Sequence, residues 1–502
     1  MARKHSLWLT LAALIAITGG IAAQDAPAPG PAPASPGGGV TGGGGTPTQQ
    51  QMSAMAAAFN QDIVLNSDLY SSVPEILSGG LGFTNIIGVA NLDRDTVRAA
   101  NGTWRVNVTC ANGQPPPTRV LTSAATAVWT GGYNCIAENY DGLPVCFSWP
   151  VLPSTISNKA ITVTLSNGTK MQPPCIGISP NLEFNERHCV VLFGKMGNRL
   201  PAGDPDALFV SGVEVTEGSG FKLVGPKGPV SAEGLKFTNP SGKGPYQGAG
   251  PYIMRAKLSE LSDVGEGISL PPFASQVAFP NDGVALYGPY NGSVGADGVR
   301  LRLRLFYSGG MTPDGVKAFQ PGDFAKHFYI LANSSEGEMR LEIPGQEYAL
   351  DDGLVMVVGM ADTGRKQEAY DDCYQEDYDN YLDIIIDASD RQTAALLGSA
   401  TVEAFRTDER YAPLYNPGGP GNDPVPDVVY SSPAAPQSVP ISLALDDPAT
   451  ITYCSLGGKT TRDAEACTQM VNAALAAAPP MGAPGGTAPS MAMPGMPAPA
   501  PA

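Results

Sequence analysis

Histidine is nearly missing from this chain. Of the three present, His5 lies in an N-terminal leader, which leaves His188 and His327. A Ser-His-Asp or Cys-His catalytic unit needs an imidazole beside its nucleophile. The sequence also lacks a GxSxG elbow, an HExxH helix and a GxxxxGK[ST] loop, so histidine-based hydrolysis, zinc hydrolysis and P-loop chemistry have no carrier. His188 adjoins Cys189 in NERHC and His327 sits in FAKHFYIL at a strand edge; both read as structural. Basic residues are scarce too, 30 against 47 acidic, for a net charge of −17. Such a surface repels nucleic acid and anionic membranes. Aromatics make up only 7% of the residues. Trp104, Trp129 and Trp149 fall together in a cysteine-rich part, where packing beside disulfides accounts for them better than a sugar platform. Long stretches of 3.6-residue period are absent, and no run downstream of residue 23 is apolar enough to span a bilayer.

What is present begins with an export signal. Arg3, Lys4 and His5 precede an apolar run from Leu7 to Ile21 and the small residues Ala22 and Ala23. That is the layout of a secretory leader over 1–23, cut near Ala23–Gln24, and it implies a secreted, extracellular protein. All eight cysteines follow it, at 110, 135, 146, 175, 189, 373, 454 and 467, with no CxxC pair. An even count in an exported chain favours disulfides over metal. Cys454 and Cys467 are predicted to bridge, and parity then sends Cys373 back to one of the five early cysteines. Asn101, Asn107, Asn167, Asn291 and Asn333 each open an Asn-x-Ser/Thr sequon, which makes them expected glycosylation sites.

Residues 24–56 and 478–502 are rich in Pro, Gly and Ala. They cannot bury a core and are expected to be disordered or polyproline-like. The stretch QDAPAPGPAPASPGGG near the start and the terminal APAPA alternate Ala-Pro and Ser-Pro. In this they resemble the hydroxyproline-rich, O-glycosylated modules of plant and algal matrix and wall glycoproteins. The resemblance is confined to the tails and implies a cell-wall or extracellular-matrix setting in which they serve as spacers. No family is recognised for the folded middle.

That middle reads as strands: Trp104–Cys110, Ala160–Leu165, Val299–Tyr307, His327–Leu331, Leu354–Val358 and Leu382–Asp387, short β-branched and aromatic runs separated by Gly, Pro, Asn and Asp. Short helices are expected at Val73–Leu77 and Arg391–Leu397. A stronger one follows Thr460, where AEACTQMVNAALAAA runs through good helix formers. The fold class expected is all-β, with antiparallel sandwich-like regions, disulfides, one short C-terminal helix and disordered tails. The parts are a leader 1–23, a linker 24–56, a cysteine-rich β region 57–195, a sandwich-like region 196–395, a C-terminal segment 396–477 and a tail 478–502.

Two charge patterns stand out. From Asp371 to Asp383 run five Asp and one Glu with no basic residue. Calcium takes six to eight hard oxygens, and Asp377, Asp379, Asn380 and Asp383 are the ligands expected if that loop holds Ca2+. The alternative is a solvated acidic loop. NLDRDT at 91–96 mimics the start of an EF-hand, but Thr96 stands where glycine is needed and Gly102 where glutamate is needed, which excludes it. In Val299–Ser308, Arg300, Arg302 and Arg304 alternate with leucines on one face of a strand. They form a ladder suited either to an anionic polysaccharide or, in so acidic a chain, to carboxylates of a neighbouring strand. The functional expectation is a secreted matrix or cell-wall glycoprotein whose β middle binds a polysaccharide, a matrix glycoprotein or calcium, more a structural or binding protein than an enzyme. The rivals are a secreted carboxylate-dependent glycosidase or polysaccharide lyase, and an exported bacterial adhesin or envelope protein.

Overall fold

The computed structural model describes residues 60–79, 128–130, 135–137, 141–178, 184–197, 205–240, 242, 252–261, 279–280, 286–309, 321–364, 381–404, 434–446 and 451–477. The first strands are β1 (Asp62–Ser67), β2 (Ile76–Gly79), β3 (Val128–Thr130), β4 (Cys135–Ala137), β5 (Asp141–Phe147) and β6 (Ile161–Leu165). They are followed by β7 (Lys170–Met171), β8 (Cys175–Gly177), β9 (Cys189–Gly194), β10 (Val210–Val215), β11 (Lys222–Gly225), β12 (Gly228–Ser231) and β13 (Lys236–Thr238). The next are β14 (Ile253–Glu260), β15 (Phe279–Pro280), β16 (Val299–Tyr307), β17 (Phe328–Ser334), β18 (Gly337–Leu341), β19 (Glu347–Leu350), β20 (Gly353–Gly364) and β21 (Tyr381–Ala388). The last are β22 (Thr401–Ala404), β23 (Gln437–Leu443), β24 (Ile451–Leu456) and β25 (Lys459–Thr461). The described residues also form three α-helices: α1 (Phe324–His327), α2 (Arg391–Leu396) and α3 (Ala464–Ala477). The all-β expectation and the C-terminal helix are both met. At Val73–Leu77, however, a strand replaces the expected helix. Pro74 offers no backbone N–H, and Ile76 and Leu77 are buried, in a strand paired with β5.

Ten strands form the largest sheet, in the order β15-β20-β21-β16-β14-β23-β22-β17-β18, with β19 on β20. Its pairs are antiparallel except β14 with β23. The turn 342–346 joins its far members β18 and β19, and the amides of Glu342 and Ile343 donate to the Tyr348 hydroxyl at 3.2 and 3.0 Å. The ribbon therefore curls nearly closed around one core. β16 explains how: Leu301, Leu303 and Leu305 enter that core with Ile384 and Ile386 of β21 and Val357 of β20, as the two-residue period of a strand requires.

Two four-stranded sheets, β2-β5-β9-β8 and β13-β10-β6-β7, enclose a second core. Val145 and Phe147 meet Ile161, Val163, Leu192 and Val213 there, so this core draws strands from both sides of residue 195. The β11–β12 hairpin packs Phe221 and Leu223 against it. A three-stranded sheet, β1-β24-β25, pairs the first described strand with one of the last. The expected Cys454–Cys467 disulfide is present, and its sulfurs share a cluster with Ile63 and Phe184. Among the described residues no helix is long and apolar enough to cross a membrane.

Candidate functional site

The arginine ladder lies on the outer face of the large sheet, and the outer face is buried. Register explains which acids it meets. β16 runs antiparallel to β21, with Arg300 opposite Asp387, Arg302 opposite Ile385 and Arg304 opposite Asp383. Two arginines therefore have a carboxylate directly across. Arg300 Nε and Nη2 donate to the two Asp387 oxygens at 2.8 Å. Arg304 Nε and Nη2 donate to those of Asp383, also at 2.8 Å. On its other side β16 meets β14, which sets Lys257 beside Arg304 and Ser259 beside Arg302. Lys257, Arg302 and Arg304 thus crowd three positive charges onto one patch, with Asp383 as the sheet's own answer.

The remaining negative charge comes from the smaller core's side. Asp68, just past the end of β1, is fully buried. Its carboxylate accepts from Arg302 Nη2 at 2.8 Å on both oxygens and from Lys257 Nζ at 2.9 Å, and Arg304 Nη1 stands 3.6 Å away. Glu186 approaches Arg304 Nη1 at 3.5 Å. Three cations, Lys257, Arg302 and Arg304, thereby meet three anions, Asp68, Glu186 and Asp383, and the cluster is internally neutral. Burial alone would raise the Asp68 carboxyl, but Arg302, Lys257 and Arg304 hold it well below the usual carboxylate range. Arg304 is held well above its ordinary value by Asp383, Glu186 and Asp68 against the opposing effect of burial.

An aromatic group seals one side. Phe306 stacks on Tyr381 at 4.7 Å with ring planes 3° apart, and Tyr70 covers Phe306 at 4.8 Å. His188 completes it. Its Nε2 lies 2.7 Å from the Asp68 carbonyl, which can only accept, so Nε2 carries the proton. Nδ1, 2.7 Å from the Tyr381 hydroxyl, then accepts from it. The neutral ring satisfies both contacts, and burial lowers its pKa to about 4. The Tyr70 hydroxyl is driven the other way, well above its usual value, by burial and then by the Asp68 charge. Beside this group Cys189 bonds Cys146 across β5 and β9.

Of the residues singled out in the sequence, the ladder and Asp383 come together here. Asp383 also accepts from the Tyr287 hydroxyl at 2.6 Å, so its carboxylate belongs to the cluster. Asp377, Asp379 and Asn380 lie outside the described residues, as do Asn101 and Asn107. Asn167, Asn291 and Asn333 are exposed. His188 and His327 are both buried, as is Trp149, whose Nε1 donates to the Ser71 carbonyl at 2.9 Å. Asp68, Lys257 and Glu186 supply half of the six charges and Tyr381 part of the aromatic seal; none has a sequence signature, save that Tyr381 and Lys257 alternate along strands of clear period.

No family model and no curated protein matches the chain. Among solved structures, surface layer protein SbsC, domains 1–6, aligns at 10% identity with a TM-score of 0.14, over 64% of this chain and 56% of that one. The chain thus spans little more than half of that structure's length, and so slight a likeness carries neither fold nor role.

Proposed function

We propose that this chain is a secreted structural glycoprotein of an extracellular matrix or cell wall, with a robust β body presented between Pro-rich spacers. The observation that carries this reading is the neutral charge cluster. Its ionisable groups are matched to one another and walled in by aromatics, a disulfide and two hydrophobic cores, which is chemistry for holding parts of a chain together. Disulfides and a secretory leader support an oxidising, exported setting. Polysaccharide or matrix glycoprotein is the partner class, bound on the outer surface, since the arginine ladder is occupied from within.

Calcium belongs to this reading in a narrowed form. Asp383 is engaged by Arg304 and Tyr287, so the ion falls to Asp377, Asp379 and Asn380. A hundredfold excess over Kd then adds about 2.7 kcal/mol, read as a higher melting temperature in millimolar calcium than in chelator. Asp377→Ala abolishes that difference, whereas Asp383→Ala lowers stability in both media. The wider reading is tested with a glycan array beside a reducing-sugar release assay. Binding without release is expected; release of sugar would make the chain a carboxylate-dependent glycosidase or lyase instead.

A further inference from the structure

The three described sequons differ in what their functional groups already hold. Oligosaccharide transfer joins the asparagine Nδ2 to the anomeric carbon of a lipid-diphosphate-activated sugar; the anomeric C–O bond breaks, the diphosphate leaves and Nδ2 gives up one proton. The hydroxyl two residues on is part of the acceptor, which is why the motif requires Ser or Thr. In Asn291-Gly292-Ser293 that hydroxyl donates to Asp387 Oδ2 at 2.5 Å, the carboxylate that also holds Arg300. In Asn333-Ser334-Ser335 the acceptor nitrogen itself donates to the Ser399 carbonyl at 2.9 Å, and the Ser335 amide donates to Asp351 at 2.7 Å. Both sequons are tied to residues far along the chain.

Asn167-Gly168-Thr169 is different. It forms the exposed tip of the β6–β7 hairpin, closed by local bonds from Gly168 N to Leu165 O and from Leu165 N to Thr169 O, each 2.8 Å. Gly168 supplies the positive φ of 83° that the tip needs. Asn167 Oδ1 accepts from the Thr169 amide at 3.0 Å. That bond fixes the side chain through its oxygen, and among the described residues Nδ2 and the Thr169 hydroxyl stay uncommitted.

We infer that Asn167 carries an N-linked glycan and that Asn291 and Asn333 do not; the inference rests on the glycoprotein reading above. The position also gives the sugar a purpose. β7 is the last strand in β13-β10-β6-β7, and an open sheet edge is a template for pairing with another chain. A glycan one turn from Lys170 covers that edge.

The test uses the full chain from a eukaryotic secretory host, deglycosylated enzymatically in heavy-oxygen water so that each formerly occupied asparagine becomes a labelled aspartate. Peptide mass spectrometry is expected to mark Asn167 and to leave Asn291 and Asn333 unmarked, with Asn167→Gln removing the matching mass from the intact protein. Label at Asn291 or Asn333, with or without Asn167, overturns the assignment and leaves the glycoprotein reading standing. No label at any of the five sequons overturns both. Size-exclusion chromatography of folded Asn167→Gln supplies a second readout: more self-association than in the glycosylated protein supports the edge-covering role, and an unchanged profile removes it.

Discussion

At the residue scale, Asp68 decides most. It is the one anion that touches all three cations of the cluster, and deleting it leaves two carboxylates facing three buried positive charges. Breaking a buried pair from one side costs about 3–5 kcal/mol, so Asp68→Leu is expected to lower the unfolding free energy by that much, read as a lower urea midpoint at unchanged slope. Combining it with Arg302→Met restores two cations against two anions, and the double variant should recover a large part of the loss. A double variant no more stable than Asp68→Leu would mean that the charges act independently. His188 adds a dependence on pH. Its ring faces Tyr381 and Tyr70; burial, helped by Arg304 and Lys257, favours the neutral form and outweighs the Asp68 carbonyl bond and the Asp68 charge, which favour the protonated one. The unfolded chain takes up a proton near 6.5 while the folded chain resists until about 4. Stability from this group is therefore full above 6.5 and drains as pH falls from 6.5 to 4, by on the order of 3 kcal/mol. Denaturation curves across that window should show the slope in the native protein and a flatter one in His188→Gln.

Elements are legible in this sequence where the period is strong and the surroundings do not matter. β16 was bounded by its own alternation, and the spacing of Asp383 and Asp387 matches that of Arg304 and Arg300 once the two strands run antiparallel. The third rung was not legible. Arg302 faces Ile385 across the sheet, and its acid arrives from residue 68, where a lone Asp in an irregular stretch carries no pattern. Val73–Leu77 failed for a related reason: a short run with apolar ends fits a helix turn or a strand until a neighbour, here β5, is known. Close packing between elements supplies a further test. A Cβ on Gly225 in β11 would stand 2.3 Å from the Trp149 ring, which is buried and has no room to swing away. Gly225→Ala should cost about 1–3 kcal/mol by overpacking, with a changed Trp149 fluorescence as the local sign; an unperturbed melting curve would show that the hairpin can shift as a unit.

Over the whole molecule, the disulfides narrow what parity left open. Cys146–Cys189 and Cys454–Cys467 are closed, and Cys175 is bonded as well. If parity holds for all eight cysteines, Cys373 is expected to join Cys110, Cys135 or Cys175. Non-reducing peptide mapping should recover one of those three bonds and find no thiol at Cys373; a free thiol there would break the parity argument.

The pairing of β1 with β24 has a consequence for a protein held by its two ends. Asp62 lies opposite Ser455, and Cys454, its neighbour, is bonded to Cys467 at the base of α3. Tension entering before residue 62 and after residue 477 therefore meets at one end of a single antiparallel pair, the disulfide bypassing the loop between. Load applied there opens the ladder like a zip, one hydrogen bond at a time, instead of shearing all of them together. β1 would peel residue by residue as far as Ser67, giving up on the way its bonds to Ser154, Phe184 and Asn185, with the large sheet still unstrained. The next residue is Asp68, anchored among Arg302, Lys257 and Arg304. The charge cluster is then a mechanical stop: a short, yielding extension first, and a firm catch behind it.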